Sequence, residues 1–339
     1  MTAAVDTLFD AAAPATSRRR PGIALLRTLF RGLAVAIPVV FIATFITYGL
    51  GSLSKFNPAA AVMGETATPA DIKRMNHEFG LDRPFLVQYF SWLGHALRGD
   101  FGQSWFTRIP VSQSIEQRLP VSLSVAVGAL LIAVVLGAAA GIGAALNKGG
   151  WFDRGVTVVC SVLSTIPGFV AAIALITIFA VSFPILPSGG YVPPSVNFGQ
   201  WLKFLILPCT ALSLEAAADL ARQLRNGLVG TLRENYVTGA IVRGYSTRRV
   251  LFGHALRNGA GPALALLGLH IPRLIGGAVI TETVFALPGL GQLAKDSALK
   301  GDVPVVQACL LVTIGLVLVS SLLVNIALKK LRPGSGRQE

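Results

Sequence analysis

The stretch Arg233–Pro262, RENYVTGAIVRGYSTRRVLFGHALRNGAGP, is a basic, glycine-broken segment set between long apolar runs. Val237, Ala240 and Ile241 recur at helical spacing and predict one short apolar stripe. Gly244 stops that helix, because glycine enters the left-handed C-cap conformation without a Cβ penalty. Ser246 is placed to N-cap a second helix whose inner face is Val250, Leu251 and Ala255. Pro262 marks the start of the next apolar run. Two short, Arg-rich helices hinged at a glycine predict a docking knob moved by a partner, not a core. The rest of the chain reads as membrane-spanning helices and the connections that hold them.

Composition supports that reading. Of 339 residues 53% are hydrophobic and 13% charged, with mean hydropathy +0.65, a balance far from that of a soluble domain. The net charge of +13 does not indicate nucleic acid. Its basic residues sit at the ends of apolar runs, where they orient a membrane protein, and not in a stripe interleaved with aromatics. Cys160, Cys209 and Cys309 lie inside apolar runs without metal or disulfide spacing, so they read as reduced packing residues.

Residues 1–23 predict a disordered cytoplasmic tail ending in Arg18, Arg19 and Arg20, and 24–53 a first transmembrane helix. That helix reads as a signal anchor, being too long for a cleavable signal and lacking a small-residue cleavage site. Residues 54–119 carry seven basic and six acidic side chains and read as an extracytoplasmic segment. Two amphipathic helices are expected in it, one starting near Thr68 and one over 86–97. Residues 120–333 hold five further spans, at about 120–146, 155–183, 203–222, 262–284 and 304–328, with a cytoplasmic loop at 222–261 and a tail at 334–339. Six spans place both termini on one side. Residues 1–31, 147–154, 222–257 and 329–339 hold 18 Lys/Arg against 5 Asp/Glu, which makes that side cytoplasmic.

Enzyme chemistry is missing. No phosphate-binding G-x-x-x-x-G-K-[ST] occurs, and His77-Glu78 is followed by Leu81 where a zinc site would need a second histidine. No nucleophile motif is present, so catalytic residues and metal ligands are both read as none. Four ionisable residues do lie within spans: Glu215, Asp219, His270 and Arg273. Charge in a bilayer is expensive and normally faces a cavity or a partner. Counted from the cytoplasmic ends, Glu215 is about 10 Å deep, His270 about 12 Å and Arg273 about 16 Å, which sets Glu215 level with His270 if the helices are neighbours. Asp219 and Arg222 are spaced i,i+3 to pair near the surface. These groups either line a pathway or neutralise one another between helices. Glu282, before VFALPGLG, reads as architectural, and PGLG as a turn into a short helix over Gln292–Leu299.

Several pieces occur together in one order: GLDRPFLVQYFSWLGHALRGDFGQSW, RLPVSLSV, LPSGG, ENYV followed by RGYSTRRVLFGHALRN, ETVFALPGLGQL and DVPVVQA. From roughly Arg27 to Pro333 the chain resembles the first (B-type) permease subunit of the dipeptide/oligopeptide/nickel class of ABC importers. The resemblance implies an all-α polytopic membrane protein with six transmembrane helices in the type I importer permease fold. It further implies a bacterial cytoplasmic membrane location and a role in moving peptides, with no catalysis by this chain. Implied partners are a second homologous permease, two ATP-binding subunits and an extracytoplasmic substrate-binding protein. ATP and Mg would belong to the ATP-binding subunits, leaving this chain without a cofactor. The family's EAA docking motif would correspond here to Glu234, Tyr236, Ala240, Arg243 and Gly244, followed by Ser246, Arg248 and Arg249. Two departures stand out. YVTGAIVRG replaces a pattern similar to YVRTARAKG, and LGLHIPRLIGG replaces one similar to LGLQLGGLLGG, which makes His270, Pro272 and Arg273 unusual. Glu215 and Asp219 also stand where neutral residues are usual. The competing reading is a stand-alone secondary transporter or channel using Glu215, His270 and Arg273. The hinged docking loop and the absence of a detectable inverted repeat count against it. A membrane-embedded enzyme lacks both a nucleophile and a metal cluster.

Overall fold

The computed structural model describes residues 21–53 and 56–331, which are helical apart from loops and one isolated bridge between Gln103 and Pro110. Residues 1–20 and 332–339, which include most of the expected N-terminal tail and all of the C-terminal one, lie outside the described residues. The helices are α1 (Pro21–Leu53), α2 (Pro58–Met63), α3 (Pro69–Glu78), α4 (Phe85–Ala96), α5 (Val111–Leu146), α6 (Trp151–Leu163), α7 (Gly168–Ile176), α8 (Phe198–Thr231) and α9 (Asn235–Val242). They continue with α10 (Thr247–Val250), α11 (Leu256–Gly259), α12 (Gly261–Val284), α13 (Leu290–Lys300) and α14 (Val303–Leu331). The chain forms two compact units, divided between Ile42 and Ala43. The first is described from Pro21 and holds the start of α1; the second holds the end of α1 and all the other helices.

Among the described residues five helices are long and apolar enough to cross a membrane: α1 over Ala36–Leu53, α5, α8, α12 and α14 over Val303–Val324. A sixth span requires α6 and α7 together, and here the continuous helix expected at 155–183 is broken. The two segments meet at 105°. Pro167 is the cause: it donates no backbone hydrogen bond and bars Ile166 from helical conformation. At the break Ser164 and Thr165 turn their hydroxyls back onto the carbonyls of Cys160 and Ser161, at 2.9 Å each.

α5 and α8 form the centre of the second unit. Along α5 the buried positions Val121, Val125, Ala129, Ala133, Gly137, Gly141 and Ala145 recur every four residues, a stripe of small side chains that lets a second backbone come close. At Gly141 the approach is closest, and a methyl group there would lie 2.7 Å from the Ala221 carbonyl oxygen of α8. The helix starts at Val111, nine residues before the expected 120, and passes through Pro120 without stopping. A separate contact explains this: Val111 and Ile115 are buried against Leu290, Val305 and Ala308. α8 likewise overruns its expected end at 222, because Leu224 and Leu228 are buried against Leu251, Ala255 and Ala263.

The segment between α1 and α5 is anchored at two points. Tyr89 of α4 is fully buried, with its hydroxyl 2.9 Å from that of Thr44. Asp302, just before α14, accepts hydrogen bonds from Ser104 Oγ at 2.5 Å and Trp105 N at 3.2 Å. Thr68 caps α3 reciprocally with Asp71, and this bonding holds the Asp71 carboxyl below its ordinary value.

Candidate functional site

The loop between α8 and α12 folds as two short helical arms. α9 buries Val237 and Ala240, which pack with Val250, Leu232 and Tyr245. Gly244 ends that arm at φ +82°, the left-handed conformation its sequence position predicts. Ser246 caps α10, its hydroxyl accepting from Arg249 N at 3.4 Å. Val250, Leu251 and Ala255 turn inward as expected. Ile241 does not. It was expected to share the inner stripe, but it is 57% exposed, as is Val242 at 80%. An arm of only eight residues resting on one small cluster buries a narrow arc, which Val237 and Ala240 already fill.

The exposed face of this loop is therefore both basic and apolar. Glu234, Tyr236, Arg243, Gly244, Ser246, Arg248 and Arg249 are all exposed, whereas Ala240 faces inward and serves packing. The Tyr236 hydroxyl accepts from Asn258 Nδ2 at 2.8 Å, tying the first arm to the second. Arg249 lies over the Tyr245 ring, 4.5 Å from its centroid, which stiffens the hinge. Small internal contacts make the loop rigid, and its outward groups are left for another surface.

The second group of candidates lies between α8 and α12. Glu215 and His270 lie close to each other, their ligand atoms within 4.8 Å, but each takes a different partner. His270 Nε2 instead lies 3.1 Å from Asp219 Oδ2, and Arg273 Nη1 lies 3.4 Å from Glu215 Oε1. Asp219 also accepts from Arg222, the i,i+3 partner expected, and from Ser164 Oγ at 3.2 Å. The cluster is layered. His270 is buried and Asp219 half-buried, while the Glu215 and Arg273 side chains are 55% and 69% exposed. Glu215, Asp219 and His270 place ligand atoms within 4.8 Å of one another, a spacing that would admit a cation. Arg222 and Arg273 already hold the two carboxylates, so a metal would have to displace two guanidinium groups. Charge balance favours the ion-pair network.

One site, Asp153, escaped the sequence, and a second, Glu282, is architectural as expected. Asp153, in the first turn of α6, is buried and takes Arg225 of α8 in a two-pronged bond at 2.9 and 2.7 Å, along with Gly149 N at 2.9 Å. Its partner is 72 residues away, and the only local signal is an acid at a helix start. Glu282, fully buried at the far end of α12, accepts from Ser122 Oγ at 2.5 Å, Gly291 N at 2.8 Å and Gln292 N at 3.1 Å. It thereby caps α13 and pins it to α5. Gly289 lies so close that a methyl group there would fall 2.2 Å from the carboxyl carbon. A half-open cavity of about 1010 Å³ lies elsewhere, at the ends of α1 and α14 remote from the docking loop, with Tyr48, Lys73, Arg74 and Gln307 among its walls. None of the charged cluster lines it.

Comparison with known proteins agrees with this architecture. Residues 133–336 match the family model described as binding-protein-dependent transport system inner membrane component, and residues 25–126 match the model of its N-terminal part. The chain is 36% identical over 312 residues to a probable peptide ABC transporter permease protein, y4tP, of Sinorhizobium fredii, covering 92% of this chain and 98% of that protein. It is 34% identical to the di/tripeptide transport system permease protein DppB of Pseudomonas aeruginosa, over 89% of this chain and 96% of that one. Identity to the oligopeptide transport system permease protein OppB of Salmonella typhimurium is also 34%, over 82% and 89%. Among solved structures, an inward-facing MetNI methionine ABC transporter chain is similar in fold, with TM-score 0.51 at 15% identity, over 65% of this chain and 97% of that one.

Proposed function

The chain belongs to the family of binding-protein-dependent transport system inner membrane components, and from that premise we propose that it forms half of a translocation pathway for di- or oligopeptides. The relatives named for peptide transport support this cargo. The other half is a second, homologous permease. Two ATP-binding subunits bind and hydrolyse ATP with Mg, an extracytoplasmic binding protein delivers the cargo, and this chain holds no cofactor and has no catalytic residue. Both termini and the α9–α11 loop face the cytoplasm, where the excess of Lys and Arg on that side directs them.

The observation that carries the reading is the construction of the loop. Glu234, Tyr236, Arg243, Ser246, Arg248 and Arg249 are presented on two arms whose inner faces are packed and whose hinge is a left-handed glycine. Such a body passes motion on as a unit when the ATP-binding subunits close, turning α8 and α12, between which it lies. Glu215, Asp219, His270 and Arg273 then line the pathway on those same two helices. Exposed charge on a span favours water or a partner over lipid.

Gly244→Val tests it. A Cβ at Gly244 meets nothing within 4 Å, so the substitution acts through the backbone, which must leave φ +82° or bear about 1–2 kcal/mol of strain. With a tagged chain, the second permease and two ATP-binding subunits are expected to co-purify. In the variant they are retained less well, or ATP hydrolysis no longer drives uptake. A chain that purifies alone and transports without ATP overturns the reading in favour of a stand-alone transporter.

A further inference from the structure

The helices α6, α8 and α12 carry two kinds of ion pair. Arg225 and Asp153 meet in a two-pronged contact at 2.9 and 2.7 Å, with the carboxylate buried, as in a built structural bond. Arg273 and Glu215 touch through a single contact at 3.4 Å, with both side chains more than half exposed. Directly behind them the second layer is closed: Asp219 is held by Arg222, Ser164 and His270. One acid and one base are thus presented side by side, on two antiparallel helices, loosely joined to each other and backed by groups already satisfied. Neither belongs on a lipid face.

We propose that Glu215 and Arg273 form a reading pair for the two free termini of a peptide in transit, Glu215 taking the α-ammonium and Arg273 the α-carboxylate. The inference rests on the pathway reading above and names what that site selects. When a zwitterion enters, the weak Glu215–Arg273 contact is exchanged for two contacts of the same kind, and no charge is left unpaired. A peptide blocked at one end breaks one side of that exchange, leaving Glu215 or Arg273 without the partner it gave up. The pair therefore discriminates by charge pattern and is indifferent to side chains, as a pathway downstream of a separate binding protein requires.

The experiment uses the whole complex in proteoliposomes. It compares uptake of one labelled tripeptide in four forms: free, N-acetylated, C-amidated and doubly blocked. Rates are taken at equal occupancy of the external binding protein, measured separately for each form. The free tripeptide is expected to move about three- to tenfold faster than either singly blocked form, tenfold being 1.4 kcal/mol. Glu215→Gln removes the discrimination against the N-acetylated form only, and Arg273→Gln that against the amidated form only. The proposal is overturned if the variants slow all four forms alike, if discrimination is untouched, or if either variant loses the second permease, in which case this face is a subunit contact. If the unsubstituted complex moves no peptide in any form, the peptide reading itself fails.

Discussion

Glu282 and Glu215 are both carboxylates within apolar spans, yet their surroundings are opposite. Glu282 is sealed from solvent and surrounded by three donors from α5 and α13, with Gly289 pressed against it. Glu215 is 55% exposed and meets one arginine at 3.4 Å. The first has most of its hydrogen-bonding capacity consumed by the fold. The second has most of its capacity left over, and leftover capacity on a span is what a passing solute can use. An ionisable residue in a span is therefore not by itself a sign of transport; the number of donors already closed around it separates the two cases.

The comparison can be broken most sharply at Glu282. Glu282→Gln replaces one accepting oxygen by an amide that points donors at donors, and is expected to destabilise by about 2–3 kcal/mol. Thermal unfolding of the purified protein in detergent would read this as a clear drop in Tm; an unchanged Tm would mean that the three-donor cradle does not hold α13. Glu215→Gln is expected to shift stability by less than about 0.5 kcal/mol in the same assay, because an exposed pair contributes little. A loss as large as that at Glu282 would make Glu215 architectural and remove the contrast.

A third carboxylate gives the smallest and most graded effect. Asp302 is buried, and burial raises its carboxyl above the ordinary value against the pull of Ser104 and Trp105. A raised value in the folded state means that the fold binds the proton more tightly than the unfolded chain does. The contribution to stability is full below the ordinary carboxylate range and is lost as pH rises through the raised value. The protection of the Trp105 amide, its exchange rate relative to the unfolded chain at the same pH, is therefore expected to fall across that interval, and Asp302→Asn to flatten the slope. A flat profile in the unsubstituted protein would show that the Asp302 carboxyl is as well solvated as an exposed one.

What could be read in the sequence was short in range. Gly244 and Ser246 announce their conformations because a C-cap and an N-cap depend on neighbours within three or four residues. Ile241 was misplaced because helical spacing marks a face without saying how wide the buried arc is. Depth counting set Glu215 level with His270, and their ligand atoms do lie within 4.8 Å, but it could not say which acid each base takes, because that depends on the rotation of α8 against α12.

By itself the sequence determined the all-helical membrane class, the hinged loop and the family, since each follows from composition or from motifs read locally. Only the tertiary structure decided which charges meet. The Asp153–Arg225 bond, the cradle of Glu282 and the pairing of Asp219 with His270 and of Glu215 with Arg273 join residues that are mostly more than 50 positions apart. Such pairs depend on helix register and rotation. Those are set by the close packing of small side chains over whole helices, a property that no single stretch of sequence carries.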